Sequence, residues 1–202
     1  MIDLIDHLKK ELSRKPSPGV ILNTLGEDKL KELASRYPTH NHNALWIGAH
    51  LADMFITEAL LTGDITQHVS MALEYAKKMI EEEGISESDA EIILELITTH
   101  HGGEQKHLES KLFKNADCFK FLLPRGVFHI FGTMYGRSDE TDPSKKFAEA
   151  MQYTMFKVEE KYALVDLDNT LKAEAKELYD HWQFFFNRVG VDRKVPGLYN
   201  KN

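Results

Sequence analysis

The chain has 202 residues, 42% hydrophobic and 28% charged, a composition that supports one well-cored globular domain and excludes a disordered one. Its 25 basic and 32 acidic side chains leave a net charge of −7 with no basic block. That balance disfavours long nucleic acid bound through its phosphates, and leaves a small phosphorylated ligand open.

No continuous apolar run approaches the roughly 18 residues of a membrane span. The start, Met1-Ile2-Asp3-Leu4-Ile5-Asp6, alternates acidic and apolar residues and lacks the layout of a signal peptide. The single cysteine, Cys118, excludes an internal disulfide framework and reads as a small buried apolar residue. These features predict a cytoplasmic protein without a membrane partner. Its oligomeric state is not legible.

Helical period dominates. Residues 27–36 predict a short polar helix stopped at Tyr37-Pro38, because proline disfavours helix in the residue before it. Leu45, Gly48, Leu51, Ala52, Phe55 and Ala59 trace an apolar stripe through a helix over 43–61, ended by Thr62-Gly63-Asp64. Val69, Ala72, Leu73, Ala76, Met79 and Ile80 mark the next helix, stopped by Gly84. Ser86 with Asp89 resembles a capping box and opens a helix through Ile93, Leu94 and Ile97 to His100-His101, closed by Gly102-Gly103.

Residues 108–123 form another helix with Leu112, Ala116, Phe119 and Leu123 on its stripe, ended by Pro124. Residues 132–145 read as a long polar loop. Two amphipathic helices follow, through Phe147–Tyr162 and Leu171–Val189. The aromatics Tyr179, Trp182, Phe184, Phe185 and Phe186 on the last are expected to pack in a core. The only strand-like run, Val20-Ile21-Leu22, is too short to assign. The fold class is all-α, expected as one helical domain over 1–202 with a core at about 27–123 and a helical extension over 124–190.

His68, His100-His101 and Asp117 each lie at or near the end of a predicted helix. Imidazoles and carboxylates brought together from several helix ends are what a divalent-metal site needs. Asp117 lies in a sequence that looks buried, Ala116-Asp117-Cys118-Phe119, so a metal, histidine or basic partner is expected for it. The bland alternatives are that His68 caps a helix start and that His100-His101 answer a helix C-terminal dipole. His7, His107, His129 and His181 have no positional argument.

The order helix–His68–helix–His100-His101–helix–Asp117 resembles the HD-domain superfamily of metal-dependent phosphohydrolases. The stretch Asp64–Phe121 carries the resemblance, which covers about a third of the chain in motif terms. The family's His-Asp dipeptide is absent from the expected region. One register aligns Gly48-Ala49-His50-Leu51-Ala52-Asp53-Met54 with it, so that Asp53 is the retained aspartate and Ala52 stands where histidine would be. In that register the family's first histidine would fall near Asn23 to Leu25, where the chain has none. A second register takes His42 as the first histidine and loses the dipeptide by deletion. The first keeps Asp53 and its fifteen-residue spacing to His68 together and is preferred. His50, one turn before Asp53, could compensate as a displaced ligand, and His40 and His42 could bind metal or cap a helix.

The resemblance implies an enzyme in which His68, His100, His101, Asp53, Asp117, His50 and His42 are the candidate ligands of a divalent ion (Mn, Fe, Ni, Zn or Mg). Asp53 and Asp117 are then its catalytic carboxylates, and Lys111, Lys114 and Arg125 its candidate phosphate-binding cations. The expected activity is hydrolysis of a small phosphomonoester or nucleotide by water that the ion activates. The alternative is an HD-fold module that has lost catalysis and binds a nucleotide or a protein partner.

Overall fold

The computed structural model describes residues 2–14 and 20–191 and is all-α, with no strand among them. The chain forms two compact units, Met1–Lys120 and Phe121–Asn202. The first holds α1 (Ile2–Arg14), α2 (Val20–Arg36), α3 (His42–Ala52), α4 (Ile56–Thr62), α5 (Gln67–Glu83), α6 (Glu87–Thr99) and α7 (Leu108–Lys120). The second holds α8 (Pro124–Arg137), α9 (Pro143–Ala163) and α10 (Asn169–Val189).

At the centre of the first unit α3 packs on α6, which is flanked by α5 and α7, while α2 covers α7 and α1 covers α3. Helix α3 can be central because it is apolar nearly all round: Ala44, Leu45, Ile47, Leu51 and Ala52 are 0–1% exposed. Asn41 caps it, its side chain accepting from Ala44 N at 3.2 Å, so neither His40 nor His42 takes that role. Ser86 accepts from Asp89 N as the capping signature predicted, but the Asp89 carboxylate accepts from Asn41 Nδ2 at 2.6 Å instead of closing a box. That bond ties the start of α6 to the start of α3.

Gly48 brings the two helices close. A Cβ there would lie 3.0 Å from Leu96 Cδ1, and Leu96 is fully buried. Gly48→Ala is therefore expected to destabilise the unit by up to about 2 kcal/mol, an overpacking cost of about 1–3 kcal/mol offset in part by a helix-propensity gain of about 1 kcal/mol. A thermal melt equal to or above that of the wild type would contradict this.

Several boundaries differ from the sequence reading. Helix α2 begins at Val20, so the strand-like run lies in its first turn and the polar segment 27–36 is its second half. Helix α1 had no counterpart in the reading. The helix expected over 43–61 is two helices, broken by a turn at 53–55, although no glycine or proline marks the break. His42–Thr62 has the length and hydropathy of a membrane span by composition alone, but it is half buried and carries this break.

In the second unit α9 packs against α8 and α10. Residues 132–137, expected in a loop, continue α8, whose Val127 and Ile130 are buried. Phe131 pairs there with Tyr135 at 5.8 Å and with Phe147 at 5.3 Å, contacts that outweigh the helix cost of Gly132 and Gly136. Of the α10 aromatics, Trp182 and Phe186 are core residues and Tyr179 stacks on Tyr162 at 4.1 Å, whereas Phe184 and Phe185, expected in the core, are exposed.

Candidate metal centre

Four side chains from three places in the first unit converge: Asp53, His68, His100 and His101, with one donor atom of each within 4.8 Å of all the others. Asp53 is the C-cap of α3, with φ −105° and ψ 8°, so the break after Ala52 places its carboxylate beside the helix end. His68 lies in the first turn of α5. Asp64 fixes that start by accepting from Thr66 N at 2.9 Å and Thr66 Oγ at 2.6 Å. His100 caps α6 and His101 follows it. Gly102 and Gly103 then take φ +135° and +103°, which turn the chain away and are open to glycine.

The rings are oriented by their own backbone. His68 Nδ1 lies 2.5 Å from Ile65 O, and His100 Nδ1 lies 2.7 Å from Ile97 O. A carbonyl accepts only, so each Nδ1 carries a proton, and in the neutral ring each Nε2 offers its lone pair to the cluster. This is how metal-ligating histidines are commonly held.

The donor spacing fits one ion. His68 Nε2 and His101 Nε2 are 3.0 Å apart, and Asp53 Oδ1 lies 3.6 Å from His100 Nε2 and 3.9 Å from His68 Nε2. Four donors at about 2.1 Å from a tetrahedral ion would be separated by about 3.4 Å. Asp53 Oδ1 and His100 Nε2 are both buried without a hydrogen-bond partner, an arrangement that is costly unless something binds there. Three imidazoles and one carboxylate suit a borderline divalent ion such as zinc, manganese, iron or nickel. His101, on the exposed side, leaves the cluster open to solvent.

Asp117 is not among the four. Its Oδ1 is ion-paired at 2.6 Å with Lys120 Nζ, which also lies 3.4 Å from Asp53 Oδ2. The partner that burial demanded is thus a lysine of the same helix. Lys120 is the residue that sequence reasoning missed, though its i,i+3 spacing from Asp117 was the available signal. Burial alone would raise the Asp53 pKa, but Lys120 and His100, with a smaller contribution from His101, hold it well below the usual carboxylate range.

None of the remaining candidates is among the four donors. His42 is exposed in the first turn of α3, its ring 6.1 Å from that of Trp46. Lys111 is exposed on α7, Lys114 is 3% exposed on the same helix, and Arg125 is exposed on α8 in the second unit. Ala52, where the HD-domain register would expect a histidine, is fully buried.

His50 does not join the four ligands either. It lies 6.0 Å from the Trp46 ring and lines a cavity of about 310 Å³ together with Trp46, Asp53, Asp117 and Lys120. Burial pushes its pKa down from 6.5 to about 4; Glu27 opposes this, and Lys9 and Lys31 add to it. Between those values the unfolded chain takes up a proton that the folded one refuses, so stability falls as pH falls. From pH 7 to 4.5 the wild type should lose about 2–3 kcal/mol more than His50→Gln in urea denaturation. Equal losses would contradict the burial argument.

Comparison of the chain with family models, with curated proteins and with solved structures gives no match. The functional reading therefore rests on the residues themselves.

Proposed function

We propose that the first unit is a divalent-metal-dependent phosphohydrolase acting on a small phosphomonoester or nucleotide, in the manner of the HD-domain enzymes its motif order resembles. One observation carries this reading: the buried Asp53 Oδ1 and His100 Nε2, neither of them hydrogen-bonded, face each other at 3.6 Å inside a four-donor cluster. A bound divalent ion would supply Lewis acidity, polarising a phosphoryl oxygen and making water a competent nucleophile at neutral pH.

The chain's own residues do the rest. The Ile65 and Ile97 carbonyls hold His68 and His100 in the tautomer that presents Nε2. Asp53 contributes the one negative charge among the donors and is shared between the cluster and the cavity lining. Lys120, in that lining, places a positive charge where a phosphoryl oxygen would approach, and the Trp46 face offers a surface for the body of the substrate.

Hydrolysis of a generic phosphomonoester by metal-free protein reloaded with Mn²⁺ tests the reading. Activity should appear with the metal and fall by at least about 100-fold in His100→Ala, since even supporting groups around a metal cost 10–100-fold. Equal activity in that variant would assign the turnover to a contaminant and refute the proposal. The second reading, a non-catalytic binding module, is favoured by Ala52 in place of the dipeptide histidine. It predicts that nucleotides raise the melting temperature without turnover.

A further inference from the structure

Asp53 faces two cation positions at once. Its Oδ1 looks toward His100 and His68, at 3.6 and 3.9 Å, while its Oδ2 lies 3.4 Å from Lys120 Nζ. The same ammonium is 2.6 Å from Asp117 Oδ1, so one lysine sits between two carboxylates that a bridging divalent ion could share. Lys120 and Asp117 are 4% and 2% exposed, which makes this a built interior pair rather than a surface contact.

Helix α2 makes room for it. A Cβ on Gly26 would meet Lys120 Cδ at 3.2 Å, tighter than ordinary contact, so the glycine leaves the lysine stem its path from α7. The cavity beside the pair is also lined by His50, whose Nε2 is buried without a partner. Two carboxylate oxygens and a free imidazole nitrogen therefore border one space, and a lysine fills its cationic position.

We propose that the Lys120 ammonium stands in for a second divalent cation between Asp53 and Asp117, and so restricts the centre to one metal ion. This rests on the metal site of the proposed function. The charges are consistent with it: two carboxylates and one ammonium sum to −1, and one divalent ion brings the site to +1, enough to attract a phosphoryl group. An ammonium cannot activate water as a metal does, so its place is to fix Asp53 and to meet anionic substrate.

The test is a manganese count on chelator-stripped, reloaded full-length protein, by elemental mass spectrometry and electron paramagnetic resonance. Wild type should take up one Mn²⁺ per chain with the hyperfine pattern of an isolated ion. Lys120→Ala, and the milder Lys120→Asn, should take up two and show an exchange-coupled spectrum. Wild type that binds two ions with Lys120 in place overturns the proposal, whether or not either variant folds. So do folded variants that still bind one. A wild type that takes up none overturns the metal centre itself, and is thereby distinguished from failure of the lysine's role alone.

Discussion

Asp53→Asn is expected to weaken Mn²⁺ binding by more than about 100-fold, the upper end of what loss of a supporting group costs, and to reduce hydrolysis to background. Asp53 is the only anion among the four donors, and the substitution keeps its size while removing that charge. The fold should survive, because Lys120 retains Asp117 at 2.6 Å. The depressed Asp53 pKa sets the pH range of any stability cost in the metal-free protein. A carboxylate whose folded pKa is lowered stabilises the fold fully above its unfolded value of about 4, and that contribution is lost only as pH falls through the lower folded value. Titration calorimetry of the metal-free proteins measures the affinity. A Kd within about three-fold of wild type, a difference worth less than one kcal/mol, would remove Asp53 from the ligand set.

Asp117→Ala should behave in the opposite way, costing stability and sparing the metal. Removing one partner of a buried ion pair typically costs 3–5 kcal/mol because the other charge is left uncompensated. Here Lys120 keeps Asp53 at 3.4 Å, so the lower end applies, about 3 kcal/mol, or a fall of about 10 °C in Tm for a chain of this length. Metal content should remain that of the wild type. An unchanged Tm would mean the pair is energetically idle, and loss of metal would return Asp117 to the ligand set that the sequence suggested.

The contrast between these two aspartates shows what the sequence could and could not reveal. The all-α class was legible from the stripes on α3, α5, α6 and α10, because an apolar period of 3.6 is a local property. His68, His100 and His101 were legible as candidates because they lie at predicted helix ends, where side chains from different helices can meet, whereas Asp53 was a candidate only through the HD-domain register and its spacing to His68. The break that places Asp53 was not legible, since Ala52-Asp53-Met54-Phe55 contains no glycine or proline. Lys120 was overlooked because an i,i+3 lysine usually belongs to a solvated face; here its stem lies against Gly26 of α2 and its ammonium beside Asp53 at the end of α3. Gly132 and Gly136 suggested a loop because glycine weakens helices locally, whereas the Phe131 contacts that outweigh this are partly long-range.

The most direct test of the account is the metal content of the natively purified protein. Elemental mass spectrometry should find close to one manganese, iron, nickel or zinc per chain, lost in His100→Ala and retained in Asp117→Ala. A wild-type protein that is metal-free and stays so after incubation with each of these ions would contradict the centre, and with it the hydrolytic function.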